Sequence, residues 1–159
     1  MGNSNCCVRR TSKIYVVKLQ KGIKTPTRAT RKAAGLDIYS PVDFIVPAHD
    51  KRRVATGLAV QVPEGCYGRI SSKSGPAHKN NLHVGAGVVD SDFQGEVYVL
   101  LYNLGALPQP IKKGRAIAQL ICERIDTPRV VLVNHFGEIS ERGTHGWGSG
   151  IQVKRQTWV

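Results

Sequence analysis

His83-Val84-Gly85-Ala86-Gly87-Val88-Val89-Asp90-Ser91-Asp92-Phe93-Gln94-Gly95-Glu96-Val97-Tyr98-Val99-Leu100-Leu101-Tyr102-Asn103 is the stretch on which the reading of this chain turns. An apolar run broken by glycine, residues 84–89, enters a turn at Asp90-Ser91-Asp92 and Gly95. A second apolar run, residues 97–102, leaves it. Two β-rich runs joined by Asp, Ser and Gly predict a hairpin. Gly85 and Gly87 strip one arm of side chains, which weakens a strand unless something approaches its backbone closely. Asp90 stands where the apolar run ends, so its carboxylate is expected to be partly shielded from water. The stretch reads as a pocket wall that binds through its backbone, with an acid at the rim. Taken alone, it leans toward a surface turn with ordinary turn aspartates.

On either side the chain keeps the same style. Residues 14–19, 33–39, 42–47, 53–62, 66–70, 116–122 and 130–136 are short β-type runs, and Gly, Pro, Asp and Ser punctuate them. A helix is expected only around residues 74–81, and residues 104–110 read as a loop. Short strands with frequent turn signals and no sustained 3.6-residue apolar period predict an all-β sandwich or barrel.

A length of 159 residues suggests one domain with a core that needs no staples. The four cysteines, Cys6, Cys7, Cys66 and Cys122, have neither zinc nor C-x-x-C spacing, so free thiols in a reducing compartment are expected. No segment is apolar enough to span a membrane, and the N-terminus lacks a secretory h-region. The expectation is an intracellular protein of cytoplasm or nucleus. The net charge of +12 suggests a nucleic-acid partner until it is divided. Residues 1–32 hold nine Lys/Arg and no acid, whereas residues 33–150 hold twelve Lys/Arg against eleven Asp/Glu. The basicity therefore belongs to the ends, and no base-reading motif accompanies it.

Those ends carry signals of their own. Gly2 follows the initiator Met, with Cys6 and Cys7 beside it and Arg9, Arg10 and Lys13 after it. That is the pattern of a basic leader, residues 1–13, acylated for membrane attachment, although Cys6 stands where the acylation motif prefers Ser or Thr. Thr157-Trp158-Val159 ends the basic tail, residues 151–159, in a form that PDZ domains capture by strand addition. Before it, residues 138–150 include Arg142-Gly143-Thr144-His145-Gly146-Trp147-Gly148-Ser149-Gly150, a glycine-rich arm able to present backbone N–H groups to phosphates.

Five segments, in order, resemble the motifs of the trimeric dUTP pyrophosphatases (dUTPases). They are Ala34-Gly35-Leu36-Asp37-Ile38, then Gly68-Arg69-Ile70 through Lys73-Ser74-Gly75, then residues 87–96 within the opening stretch. Gly114 through Ile117-Ala118-Gln119-Leu120-Ile121 is similar to the fourth, and Arg142-Gly143 through Gly146-Trp147-Gly148-Ser149 to the fifth. The resemblance covers about residues 14–150 and identifies a divergent member of that family.

The resemblance implies a jelly-roll-like β-barrel over residues 14–137 and a homotrimer with three shared active sites. In such a trimer one subunit supplies motifs one, two and four, a second supplies the hairpin, and the third supplies the arm. The implied reaction is hydrolysis of dUTP to dUMP and pyrophosphate with Mg²⁺, which limits uracil incorporation into DNA. It also implies roles. Asp90 would be the general base for water. Gly85, Gly87 and Val88 would read the uracil edge by backbone, and Phe93 would lie on the deoxyribose. Asp37 would reach Mg²⁺ through water. Ser74 and Gln119 would hydrogen-bond phosphate oxygens, beside Lys73 and Gly75. Arg142, Gly148 and Ser149 would close over the terminal phosphates, with Trp147 stacked on uracil.

The chain departs from the family pattern at named positions. Lys73 stands for Arg and Phe93 for Tyr, Gly114-Arg115-Ala116 stands for Gly-Asp-Arg, and Trp147 stands for Phe. An alternative from another class is a weakly catalytic or inactive adaptor on this fold, tethered at membranes and bound to PDZ domains. Viral relatives of the fold have been recruited to signalling in that way.

Overall fold

The computed structural model describes residues 13–137. Ten strands and one helix follow in order: β1 (Tyr15–Lys18), β2 (Leu36–Tyr39), β3 (Phe44–Val46), β4 (Lys51–Gln61), β5 (Cys66–Ser71), α1 (Ser74–Asn80), β6 (Leu82–Gly85), β7 (Val88–Val89), β8 (Glu96–Asn103), β9 (Gln109–Ile111) and β10 (Ala116–Arg124). One four-stranded sheet has the order β1-β4-β8-β6 and a second the order β2-β10-β5-β7, while β3 and β9 form a two-stranded ribbon. The all-β, jelly-roll-like expectation holds, although the sheets face one another without closing into a barrel.

Alternation in the sequence explains why the layers stack. Along β8, Val97, Val99, Leu101 and Asn103 are buried, while Tyr98 between them is exposed. Such a period-2 strand has one face for a core and one for its surroundings. Ile70, Val89, Ile117, Ala118 and Leu120 of the second sheet meet Val54, Val60, Val97, Val99 and Leu101 of the first in one cluster. Burying each of these larger aliphatic side chains contributes about 1.5–3 kcal/mol. The one buried amide in this layer, Asn103, donates to Val46 O and Leu107 O at 3.2 and 2.9 Å, so it is satisfied.

Three expectations change. The run at residues 84–89 is not one strand. It breaks at Ala86, whose φ is +47°, and its halves join different sheets. β6 pairs with β8 (Val84 opposite Leu101), as a hairpin requires, but β7 crosses to pair with β5 (Val89 opposite Gly68). The glycines at 85 and 87 bracket this crossing.

The second change is at residues 130–136, which are not a strand. The chain divides into a compact unit ending at Asp126 and another starting at Thr127, and the described part of the latter has no regular structure. Val130, Leu132 and Phe136 are 98%, 96% and 89% exposed there. Its β-branched composition is a local signal, and a strand also needs a partner, which it lacks among the described residues. The expected loop at 104–110 is also shorter, because β9 begins at Gln109.

Candidate active site

The second sheet brings three of the five sequence segments together. In its middle, Gln119 on β10 lies opposite Asp37 on β2 and opposite Ser71 on β5. Just past β5, Lys73 forms the N-cap of α1 and donates from Nζ to Asp37 Oδ1. Both partners are shielded, with 24% and 14% of their side chains exposed, so this contact is held more firmly than a surface ion pair. Lys73 therefore keeps a charge partner, although it has no planar fork with which to make the contact bidentate.

Ser72 was not singled out in the sequence, and it organises the same spot. Its carbonyl accepts from Gln119 Nε2 at 2.9 Å, and its hydroxyl accepts from Val84 N, on β6, also at 2.9 Å. In the sequence it is one of three serines within residues 71–74, with nothing to prefer one over another. Ser74 and Gly75 open α1 on its exposed side, and a Cβ at Gly75 would meet nothing within 4 Å. The backbone there is open to an approaching ligand.

The hairpin shares this sheet through β7, but its acid lies further off. β7 runs antiparallel to β5 with Val89 opposite Gly68, so Asp90 comes level with Tyr67. Gln119 and Asp37 are level with Ser71, four residues further along. At ~3.3 Å per residue that is about 13 Å along the strands, plus the width of the intervening strands. Asp90 therefore cannot share a reacting atom with Asp37, Lys73 and Gln119 of its own chain. It is also exposed, which corrects the expectation of a shielded carboxylate: among the described residues none covers it. Phe93 is 42% exposed, and its ring folds back over Gly95.

Gly85 and Gly87 have a reason to be glycine within the chain itself. A Cβ at Gly87 would lie 2.2 Å from Ile70 O, and one at Gly85 would lie 2.5 Å from the Tyr102 ring. What approaches this backbone closely is its own sheet and its neighbour. Beside the crossing, a concavity of about 340 Å³ is lined by Tyr67, Arg69, Ser72, Val84, Gly87 and Val88. Val88 points outward at 68% exposure. At the rim Tyr67 donates to Glu123 Oε2 at 2.6 Å, which pushes its hydroxyl pKa above the ordinary value, and Arg69 pairs with the same carboxylate at 3.2 Å. A larger concavity of about 500 Å³, between Lys21, Arg52, Arg53 and Lys113, contains none of the site residues expected from the sequence. Arg142, Trp147, Gly148 and Ser149 lie outside the described residues, as do Gly2, Cys6, Cys7 and Thr157-Trp158-Val159.

Among the described residues, no three His, Cys, Asp or Glu side chains cluster to hold a metal ion. Lys73 takes Oδ1 of Asp37, which leaves Oδ2 to reach a water. This donor set does not form a protein cage, but it fits a Mg²⁺ ion carried by phosphates and waters. No described helix is long and apolar enough to cross a membrane.

Known proteins resemble the chain over most of its length. The dUTPase family model matches residues 21–151. A probable deoxyuridine 5'-triphosphate nucleotidohydrolase of Schizosaccharomyces pombe is 46% identical over 135 residues, 85% of this chain and 96% of that protein. A deoxyuridine 5'-triphosphate nucleotidohydrolase of Paramecium bursaria Chlorella virus 1 is 46% identical over 138 residues, covering 87% and 97%. Among solved structures, the Staphylococcus bacteriophage 80alpha dUTPase with dUpNHpp superposes with a TM-score of 0.77 at 30% identity, covering 87% of this chain and 99% of that one.

Proposed function

The chain belongs to the dUTPase family, and from that membership we infer that it hydrolyses dUTP to dUMP and pyrophosphate, limiting uracil incorporation into DNA and supplying dUMP. One observation carries the arrangement of the site. Asp37, Lys73 and Gln119 converge on one part of the second sheet, and Asp90 of the same chain stands out of their reach. A complete site then joins the Asp37 cluster of one copy to the hairpin of another, as in a homotrimer with three shared sites.

In this arrangement Asp90 takes a proton from water as its oxygen attacks the triphosphate. The bridge between the α- and β-phosphates breaks and pyrophosphate leaves. Ser74 Oγ and the Gln119 amide hydrogen-bond the phosphate oxygens where charge accumulates, next to Lys73 and the open backbone of Gly75. The hairpin backbone at Gly85, Gly87 and Val88 reads the uracil edge, and Phe93 packs on the deoxyribose. Arg142, Trp147, Gly148 and Ser149 close over the nucleotide and exclude bulk water. Asp37 would hold Mg²⁺ through a water, and the ion would neutralise charge on the phosphates.

Purified protein with Mg²⁺ should release pyrophosphate from dUTP and leave dTTP and UTP intact. Release from dUTP no greater than from an Asp90→Asn variant would end the enzyme reading. The ends carry a separate proposal: acylation at Gly2, Cys6 and Cys7 brings the protein to membranes, and Thr157-Trp158-Val159 binds PDZ domains. Gly2→Ala should then release it from the membrane pellet, and deletion of Val159 should abolish PDZ capture. Unchanged behaviour in either assay removes that element.

A further inference from the structure

We propose that Arg115 is a positioning residue that clamps the far end of α1 and so keeps Lys73 and Ser74, at its near end, aligned with Asp37 and Gln119. The proposal rests on the dUTPase reading of that cluster.

α1 is weak on its own. It has seven residues, none of them buried, and its N-cap makes no side-chain capping bond. A helix this short is unstable alone, and without a buried face it gains little from packing. Its position must come from its two ends. At the near end, Lys73 pairs with Asp37. At the far end, Asn81 adopts a left-handed conformation and its N–H returns to Pro76 O. Beside it, Arg115 Nη2 donates to Asn80 Oδ1 at 2.8 Å, and Asn80 Nδ2 donates to Gln109 Oε1 at 2.9 Å. The arginine bond is charge-assisted and is the stronger of these two side-chain contacts.

Arg115 is itself held where Asp37 is held. Its carbonyl accepts from Ser40 N at 2.9 Å, and Gly114 N donates to Ser40 O at 2.7 Å. Ser40 directly follows β2, the strand that carries Asp37. The backbone of the 114–115 turn is thus tied to the strand bearing Asp37, and the Arg115 side chain to the helix bearing Ser74. Both pieces of the phosphate-side cluster are referenced to one residue. The family's acid at this position is shorter and of opposite sign. A carboxylate cannot donate to Asn80 Oδ1, so the bond seen here depends on the arginine.

The test compares wild type with Arg115→Ala, Arg115→Asp, Arg115→Lys and Asn80→Ala, by hydrogen exchange of the α1 amides and by kcat/KM for dUTP. Loss of the clamp should speed α1 exchange and lower kcat/KM, each about tenfold, in the Ala and Asp variants and in Asn80→Ala. Arg115→Lys should recover to within about threefold, and the Arg115→Ala/Asn80→Ala double variant should be no worse than Asn80→Ala alone, which already removes both the Arg115 and the Gln109 bonds. Unchanged α1 exchange in Arg115→Ala would overturn the proposal. So would a higher kcat/KM for Arg115→Asp, or a lower melting temperature with kcat/KM of the folded protein unaltered. Should Arg115→Ala fail to fold, Asn80→Ala removes the same bond from the helix side. Absence of dUTP hydrolysis in wild type would count against the family activity alone, because the exchange measurement reads the clamp independently.

Discussion

Asp90→Asn should lower kcat for dUTP hydrolysis by a factor of about 10³ and leave KM within about threefold, because it removes a proton acceptor that acts in the transition state and does not hold the ground state. The structure makes this a clean experiment. Asp90 is exposed, and its only described tertiary tie is local, a 3.2 Å bond from Phe93 N to its backbone carbonyl. The substitution should therefore leave folding untouched, and the urea midpoint should match wild type. The stronger version mixes subunits. If the Asp90 that serves a given Asp37 cluster comes from another copy, then Asp90→Asn and Gln119→Ala chains, each inactive alone, should regain activity on co-refolding. No recovery in mixed trimers would refute the shared site, and full activity of Asp90→Asn would refute its role as base.

Gly87→Ala should destabilise the fold by about 2–4 kcal/mol, read as a fall in the urea midpoint at unchanged m-value. The added methyl would sit 2.2 Å from Ile70 O and 3.1 Å from the carbon that bears it. Those are backbone atoms of β5, and the Ile70 N–H already donates to Gly87 O at 2.7 Å. No rotamer change relieves a clash between a Cβ and a main chain, so β7 must leave β5 and give up the pairing of Val88 and Val89. Neighbouring glycines provide the controls. At Gly85 the obstacle is the Tyr102 ring, which can turn aside, so Ala there should cost about 1 kcal/mol. At Gly75 nothing obstructs, so Ala should be neutral or slightly stabilising in the helix. A midpoint for Gly87→Ala within error of wild type would mean that β7 is not held where the structure places it.

These contrasts show what kind of information a glycine carries. In the sequence, Gly85 and Gly87 announced a close backbone approach but not its partner. The structure supplies the partner from 17 residues away at either side, Ile70 for Gly87 and Tyr102 for Gly85. Any reading of uracil by this backbone therefore uses a wall that the fold already requires. Ser72 shows the converse: it ties β5, β6 and β10 together, and it looked like any other serine in a hydroxyl-rich turn.

Much was determined by the chain of residues alone. Short alternating runs specified an all-β fold, because burial on one face and exposure on the other is written two residues at a time. The order of five segments specified the family, and the types of their side chains suit a phosphate-handling, water-activating chemistry. Local signals also placed the one helix of the described residues after Lys73 and the turn after Asp90. Only the tertiary structure decided who meets whom. Asp37 meets Gln119 because β2 pairs with β10 across most of the chain, and the run at residues 84–89 splits because its second half pairs with β5 instead of following the first. The same lack of a partner undid the expected strand at 130–136. Strand pairing is a non-local choice, made by the packing of the whole core, and no window of sequence contains it.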